Sequence, residues 1–487
     1  MNKKPNIVFL LTDDQRFDTI HALGNEEIKT PNMDYLVNHG TSFTNAHIPG
    51  GTSGAICMPS RAMINTGRTL FHLEREGQNI PCEHRTLGEI LKEDGYFTFG
   101  TGKWHNGPPA FTRSFDYGEN IFFGGMWDHW NVPTNYYDPT GEYDNVINFV
   151  GNAANSNKVT KVHCDKFNPG VHSSELLSKT TVEFIEGANR EQPFFVYTAY
   201  LAPHDPRTMP EEYKNMYDID SIKLPPNFTK DPVDFGVKNI RDEVLATYPR
   251  DERNIKEQIA EYYGMITHLD HEIGKVIDAV RRKGELENTI FILAGDNGLA
   301  MGCHGLMGKQ NHYEHSIRIP LVFSGRGIPE GKKVDNYVYL LDIFPTICEM
   351  LGIDIPESVE GKSFYPMFTD DTYKTRENLY FAYNDLIRSV KTSKYKMIQY
   401  KKMENRCAVV EGESSSVEAN KTTMPDYSSK IELFDLEKDP YEMQNIAAEN
   451  PEIVEELTTV LYNFRDEWDD LGHDLGRKYW DDFKAEK

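Results

Sequence analysis

Four short apolar runs, each breaking off into polar residues, constrain the fold most. Asn6–Thr12 carries Ile7, Val8, Phe9, Leu10 and Leu11 in succession and runs into Asp13-Asp14. Residues 96–100 run into Thr101-Gly102-Lys103-Trp104-His105, residues 194–201 into Ala202-Pro203-His204-Asp205, and residues 289–294 into Gly295-Asp296-Asn297-Gly298. Runs this short, apolar towards both sides, read as strands of a sheet covered on both faces. Residues 320–324 form a further buried strand. Helical periods alternate with these runs at 86–94, 174–189, 255–282 and 341–351, and Thr30-Pro31 opens another helix that Gly40 closes. In the longest, Ile259, Tyr262, Ile266, Leu269, Ile273, Val276 and Val280 stay in register. This alternation predicts an α/β fold with a mostly parallel sheet between helices. Ligands of such sheets bind beyond the carboxyl ends of the strands. The four polar endings are therefore predicted to converge on one point.

Other stretches break the pattern. Residues 106–172, rich in Gly, Asn, Tyr and Trp, and residues 203–253, rich in Pro and charge, read as surface insertions of the kind that shape substrate pockets. Trp127, His129 and Trp130 lie in the first, where they suit a carbohydrate-binding rim and a packed core equally well. From about Thr372 successive strands follow at 378–382, 386–391 and 395–400, then a polar loop at 403–430, a strand at 432–435 and a helix at 451–468. The reading is a catalytic domain over residues 1–371 and a smaller α+β domain with an antiparallel sheet over 372–487, about 115 residues. The acidic pair Asp469-Asp470 reads as solvated charge.

Composition narrows the function. Of 487 residues, 52 are Lys or Arg and 76 Asp or Glu, a net charge of −24. That balance excludes a general nucleic-acid binder, which needs a basic face, and opposes docking on an anionic membrane. No apolar run approaches the ~20 residues of a membrane span. As written, the chain reads as cytoplasmic; with a leader removed, it would be periplasmic or secreted. The six cysteines form no CxxC pair and no disulfide framework.

The converging endings hold Asp13, Asp14, Asp296 and Asn297, hard oxygen donors that suit Ca²⁺ or Mg²⁺, with Lys103, His105 and His204 beside them. The stretch from Gly51 to Arg68 adds a Gly/Ser-rich loop, then Cys57-Met58-Pro59-Ser60-Arg61 and Thr66-Gly67-Arg68. Cys57 is placed at a helix N-terminus, where the dipole favours negative charge, and Arg61 one turn on faces the same way. A buried cysteine at a helix start and a thiolate nucleophile are both open readings. Neither accounts for Pro59 and Arg61 at this spacing together with Thr66-Gly67-Arg68.

That stretch resembles the signature of type I sulfatases, in the alkaline-phosphatase-like superfamily. The resemblance extends over nearly the whole chain: Asp13-Asp14, Thr101-Gly102-Lys103, His105, His204, Asp296-Asn297 and Gly308-Lys309 occur in family order, and the segment from Glu432 to Asn445 is similar to the family's C-terminal domain. It implies that Cys57 is oxidised to formylglycine by a formylglycine-generating or radical maturase enzyme. It further implies that Asp13, Asp14, Asp296, Asn297 and an oxygen of modified Cys57 bind Ca²⁺, with Mg²⁺ as the alternative. On the same resemblance the hydrated aldehyde of residue 57 is the nucleophile, Asp296 helps to deprotonate it, and Arg61 stabilises its alkoxide. Lys103 and Lys309 hold sulfate oxygens, and His204 protonates the leaving alcohol. His105 takes the proton whose loss expels sulfate, so that release needs no attack by water. His304, just before Gly308-Lys309, reads equally well as a substrate contact and as an ordinary loop histidine. The expected substrate is a sulfated saccharide, attacked in exo fashion as a glycosaminoglycan-type fragment, with a uronate 2-O-sulfate as the specific expectation. The alternative is a phosphate or phosphonate ester hydrolase of the same superfamily. The acidic exterior favours short fragments over polyanionic polymers.

Overall fold

The computed structural model describes residues 3–152, 154–189, 191–233, 240–247, 249–401 and 430–485. In chain order, the strands of its two large sheets are β1 (Asn6–Thr12), β2 (Gly40–Phe43), β3 (Gly50–Gly51), β4 (Phe97–Lys103), β5 (Tyr117–Phe122), β6 (Phe194–Ala199), β7 (Thr289–Gly295), β8 (Leu321–Gly325), β9 (Lys332–Val334), β10 (Leu379–Tyr383), β11 (Ile387–Lys391), β12 (Tyr395–Tyr400) and β13 (Lys430–Asp435). Eight of these form one sheet in the order β9-β2-β8-β7-β1-β6-β4-β5, in which only β8 runs against the rest. The fold is α/β with a mostly parallel main sheet. No helix among the described residues is long and apolar enough to cross a membrane.

The side-chain alternation of β1 explains the layers. Ile7, Phe9 and Leu11 face one core, shared with Ala62, Met63 and Ile64 of α2 (Cys57–Thr66) and with Tyr380, Phe381 and Leu433 of the C-terminal strands. Val8 and Leu10 face the other, built by Leu177 of α5 (Ser173–Gly187) and by Ile259, Ile266, Leu269 and Ile273 of α6 (Glu252–Lys283). α1 (Pro31–Asn38) and α3 (Leu87–Glu93) start where the sequence places them, and Thr86 closes a capping box with Glu89 at the head of α3. α4 (Pro108–Ser114) and α7 (Ile343–Leu351) are further helices of this part. Complete burial of a side chain such as Phe9 stabilises the fold by about 1.5–3 kcal/mol.

The second sheet runs β13-β12-β11-β10-β3, antiparallel except where β10 meets β3. The predicted strands are all present, while the loop at 403–430 falls, apart from Lys430, outside the described residues. Two expectations change. The insertion at 106–172 is not all surface loop, because β5 adds an edge to the main sheet; Tyr117, at 48% exposure, shows why an edge strand carries a weak apolar signal. Asp470 is not solvated. It is buried, and it accepts from Arg388 Nε (2.7 Å) and Nη2 (2.9 Å), Tyr380 Oη (2.6 Å) and Trp480 Nε1 (2.7 Å). Trp480 belongs to a last helix, α9 (Asp474–Ala485), that follows α8 (Pro451–Glu467) and was not predicted.

Candidate active site

Register brings the strand ends level. β1 pairs with β6 and β7, so the residues that follow Thr12, Ala199 and Gly295 emerge side by side. Asp14 leaves β1 at φ 63, and its N–H donates to Asp296 Oδ1 (3.1 Å), tying the ends of β1 and β7 together. Asn297 Nδ2 donates to Asp14 Oδ1 (2.7 Å). β4 reaches Lys103 rather than stopping at Gly100. Gly102, at φ 89, makes this possible, since a Cβ there would collide with the Ala199 carbonyl. The Lys103 ammonium pairs with Asp13 Oδ2 and lies 3.4 Å from Cys57 Sγ. Two residues on, His105 turns back at φ 68 and places Nδ1 3.5 Å from the same sulfur.

Cys57 is the first residue of α2, and Arg61 follows on the same buried face. Arg61 Nε donates to Asp296 Oδ2 (2.9 Å), its Nη2 lies 3.4 Å from Asp13 Oδ2, and Nη1 donates to the Lys103 carbonyl. The loop into α2 is held from outside the catalytic sheet. Gly50, at φ 101, lies against the Ala382 backbone with no room for a side chain, and Asn384 N–H donates to the Gly51 carbonyl (2.9 Å). Lys309 Nζ pairs with Asp14 Oδ1. His204 Nδ1 donates to the Asp205 carbonyl (2.8 Å), which leaves Nε2 facing Asp14 Oδ2 at 3.6 Å.

These charges set one another. Burial opposes ionisation of Asp13, but Lys103 and Arg61 outweigh it and hold the carboxyl well below the usual carboxylate range. Burial and then the Asp13 charge push Asp296 up to about 6. Burial disfavours the ammonium of Lys103, but Asp13 outweighs it and keeps that lysine charged. His105 is half-buried; desolvation first, then Lys103 and Arg61, push it well below the usual histidine range, which leaves a neutral imidazole able to accept a proton. Burial raises the Cys57 thiol against the pull of Lys103 and Lys309. An unmodified Cys57 is thus a poor thiolate.

The donor set fits a hard cation. Asp13 Oδ1, Asp14 Oδ2 and Asn297 Oδ1 are buried with no hydrogen-bond partner among the described residues, and Asp13, Cys57 and Asp296 present ligand atoms within 4.8 Å of one another. Oxygen donors of this kind suit Ca²⁺ or Mg²⁺.

The structure gathers Asp13, Asp14, Cys57, Arg61, Lys103, His105, His204, Asp296, Asn297 and Lys309 into one web of contacts. His304 packs elsewhere: it stacks on Tyr313 (4.0 Å between centroids), with Nε2 on the Glu442 carbonyl (3.0 Å) and Nδ1 3.4 Å from Asn227 Nδ2. Three supporting groups escaped the sequence reading. Asp205 sits beside His204 and binds Arg241 (Nη1 to Oδ1, 2.9 Å); Asp242 accepts from Gln310 (3.0 Å), whose amide also reaches the Gly54 carbonyl (3.1 Å). Arg241 and Asp242 lie in an insertion with no periodicity to point to them. From the aromatic insertion, Gly125 abuts His105, and His129 donates to the His204 carbonyl (2.9 Å).

A model of the sulfatase family matches residues 5–353. The chain belongs to the sulfatase family. A second model, the C-terminal region of N-sulphoglucosamine sulphohydrolase, matches residues 302–423 of this sulfatase. An arylsulfatase of Clostridium perfringens is 27% identical to it over 482 residues, 94% of each chain. A solved structure in complex with its substrate D-glucosamine-2-N,6-O-disulfate superposes on 97% of this sulfatase and 99% of that chain, with a TM-score of 0.71 at 21% identity. The phosphonate monoester hydrolase of Agrobacterium radiobacter does so over 96% of each chain, with a TM-score of 0.70 at 17% identity. This sulfatase is a sulfuric ester hydrolase with the alkaline-phosphatase-like fold.

Proposed function

We propose that this sulfatase removes sulfate from a short sulfated carbohydrate, acting in exo fashion on glycosaminoglycan-type fragments, with formylglycine made from Cys57 by a maturase as its nucleophile. The observation that carries this reading is the setting of Cys57 Sγ, with an ammonium at 3.4 Å, an imidazole nitrogen at 3.5 Å and buried, partnerless oxygens in the same site. When bound by Asp13, Asp14, Asp296, Asn297 and the oxygen of residue 57, Ca²⁺ or Mg²⁺ supplies fixed positive charge to the sulfate. Lys103 and Lys309 bind the sulfate oxygens, where negative charge grows as the ester breaks. Arg61 fixes Asp296 and the carbonyl of Lys103, and so holds the array in register. Asp296 takes the proton of the hydroxyl at residue 57 as that oxygen attacks sulfur. The bond from sulfur to the sugar oxygen breaks, and His204 Nε2 hands that oxygen a proton. His105 Nδ1 then accepts the proton of the second hydroxyl at residue 57. The carbonyl re-forms and sulfate leaves.

The saccharide class is supported by relatives named for sulfated glucosamine, and the net charge of −24 favours fragments over polymers. A panel of defined sulfated mono- and disaccharides, with a uronate 2-O-sulfate and a glucosamine 6-O-sulfate among them, assayed for free sulfate, tests this. Release from at least one sugar is expected, with peptide mass showing a converted Cys57 in protein made with a maturase. Only unmodified thiol, with activity surviving Cys57→Ala, would overturn the mechanism. Phosphate or phosphonate ester hydrolysis is the second reading, favoured by the lysine and oxygen set, which suits phosphate equally, and by the superposition on a phosphonate hydrolase. Paired aryl sulfate and aryl phosphate assays separate the two, with sulfate turnover at least comparable under the first.

A further inference from the structure

A second cluster of metal-ligating side chains lies between α5 and α6, on the face of the main sheet opposite α2. His268 and Glu272 stand one helical turn apart on α6, and Glu175 meets them from the first turn of α5. His268 Nε2 lies 3.7 Å from Glu175 Oε1 and 3.8 Å from Glu272 Oε1, and the three ligand atoms fall within 4.8 Å of one another. These separations are too long for hydrogen bonds. They are close to those of atoms that share a tetrahedral ion: two ligands each ~2.1 Å from zinc stand roughly 3.4 Å apart.

The state of His268 points to a ligand. Its ring is 1% exposed; Nδ1 is buried with no hydrogen-bond partner among the described residues, and Nε2 is the nitrogen that faces the two carboxylates, beyond hydrogen-bond distance of both. Burial first, then His172 and Lys275, push its pKa down to about 3, so the ring is neutral and its lone pair is available at ordinary pH. The site is open on one side, where the Glu175 side chain is 41% exposed, which leaves the remaining coordination position to water. One group competes: Lys275 Nζ sits 2.6 Å from Glu272 Oε1. Its side chain is 50% exposed, so it can swing into solvent.

We infer that Glu175, His268 and Glu272 form a binding site for a first-row transition dication, Zn²⁺ foremost, separate from the oxygen-lined sulfate pocket. One imidazole and two carboxylates suit Zn²⁺ better than the hard cation of that pocket. The ion would staple α5, which leads into β6, to the long α6.

Zn²⁺ titration of the calcium-loaded, full-length enzyme by calorimetry tests this, alongside E175Q, K275A and H268Q. One saturable equivalent is expected, weakened about tenfold or more in E175Q, tightened in K275A where the competing ammonium is gone, and lost in H268Q. E175Q and K275A alter exposed side chains and leave the core intact, so the result stands even if H268Q fails to fold. No saturable Zn²⁺ binding, or binding that E175Q and K275A leave unchanged, overturns the inference.

Discussion

Two clusters of buried charge in this molecule are alike in composition and opposite in completion. Between the catalytic part and the C-terminal sheet, Lys391 and Lys396 face Glu314 and Glu442 beside His47, all buried. Lys396 Nζ donates to Glu442 Oε1 (2.5 Å) and Glu314 Oε1 (3.1 Å), Lys391 Nζ to Glu314 Oε2 (2.8 Å), and the Glu314 N–H to Glu442 Oε2 (2.8 Å). All four carboxylate oxygens are answered. In the candidate active site Arg61, Lys103 and Lys309 face Asp13, Asp14 and Asp296, yet Asp13 Oδ1, Asp14 Oδ2 and Asn297 Oδ1 have no hydrogen-bond partner among the described residues. A closed network in a low dielectric locks two parts of a fold together. An open one costs about 1–3 kcal/mol for each unanswered group, and it persists where a ligand supplies the missing partner. Completion, rather than charge, separates the structural cluster from the functional one.

The largest expected difference between them is in activity. Cys57→Ala should lower kcat/KM on a sulfated saccharide by on the order of 10⁴-fold or more, because the nucleophile acts as one unit with its proton partners. Its melting temperature should stay near that of the parent. Exhaustive chelation should abolish activity and lower the melting temperature, and Ca²⁺ should restore both; a cation present at a hundred times its Kd adds about 2.7 kcal/mol. If activity survives chelation, the open oxygens are not a cation site.

The closed cluster should answer the other way. Lys396→Met leaves Glu314 and Glu442 buried without the cation they share, at a cost of about 3–5 kcal/mol. The melt should move accordingly, while kcat of the folded enzyme stays nearly the same. Replacing Glu442 as well, in Lys396→Met/Glu442→Met, should recover part of that loss. A single variant that melts with the parent would show that the seam is no lock.

Much of this was legible in the chain. Apolar runs covered on both faces gave the strands of the main sheet, and their polar endings named Asp13, Lys103, His204 and Asp296 before any geometry was known. What stayed hidden was long-range pairing. Asp470 reads as a surface acid until Arg388, 82 positions away, reaches it. Asp242 and Arg241 lie in an aperiodic insertion, and their role rests on contacts with Gln310 and Asp205 that no local pattern encodes. His304 shows the converse: a loop histidine next to site residues in sequence turns its ring to Tyr313 and Glu442. Strand β3 was invisible because a two-residue strand has no period.

A third buried carboxylate places completion on a scale. Among the described residues Asp270, on α6, is answered by N–H groups alone: Asn32 N (3.1 Å), Met33 N (2.7 Å) and Asn32 Nδ2 (3.0 Å) at the head of α1. Burial pushes its pKa from an ordinary value of 3.8 up to about 6, and the N–H bonds offset only part of that. A carboxyl whose folded pKa lies above its unfolded value binds its proton more tightly in the folded state. Its contribution is fully present below pH 3.8 and is lost as pH rises through 6, by on the order of 2–3 kcal/mol. Asp270→Asn carries no such proton, so parent stability relative to this variant should fall between pH 4 and pH 7, as read from denaturant unfolding at each pH. Parallel curves would mean that three N–H groups answer a buried carboxylate as fully as the lysines of the seam do, and that the partnerless oxygens of the pocket need only donors, not a cation.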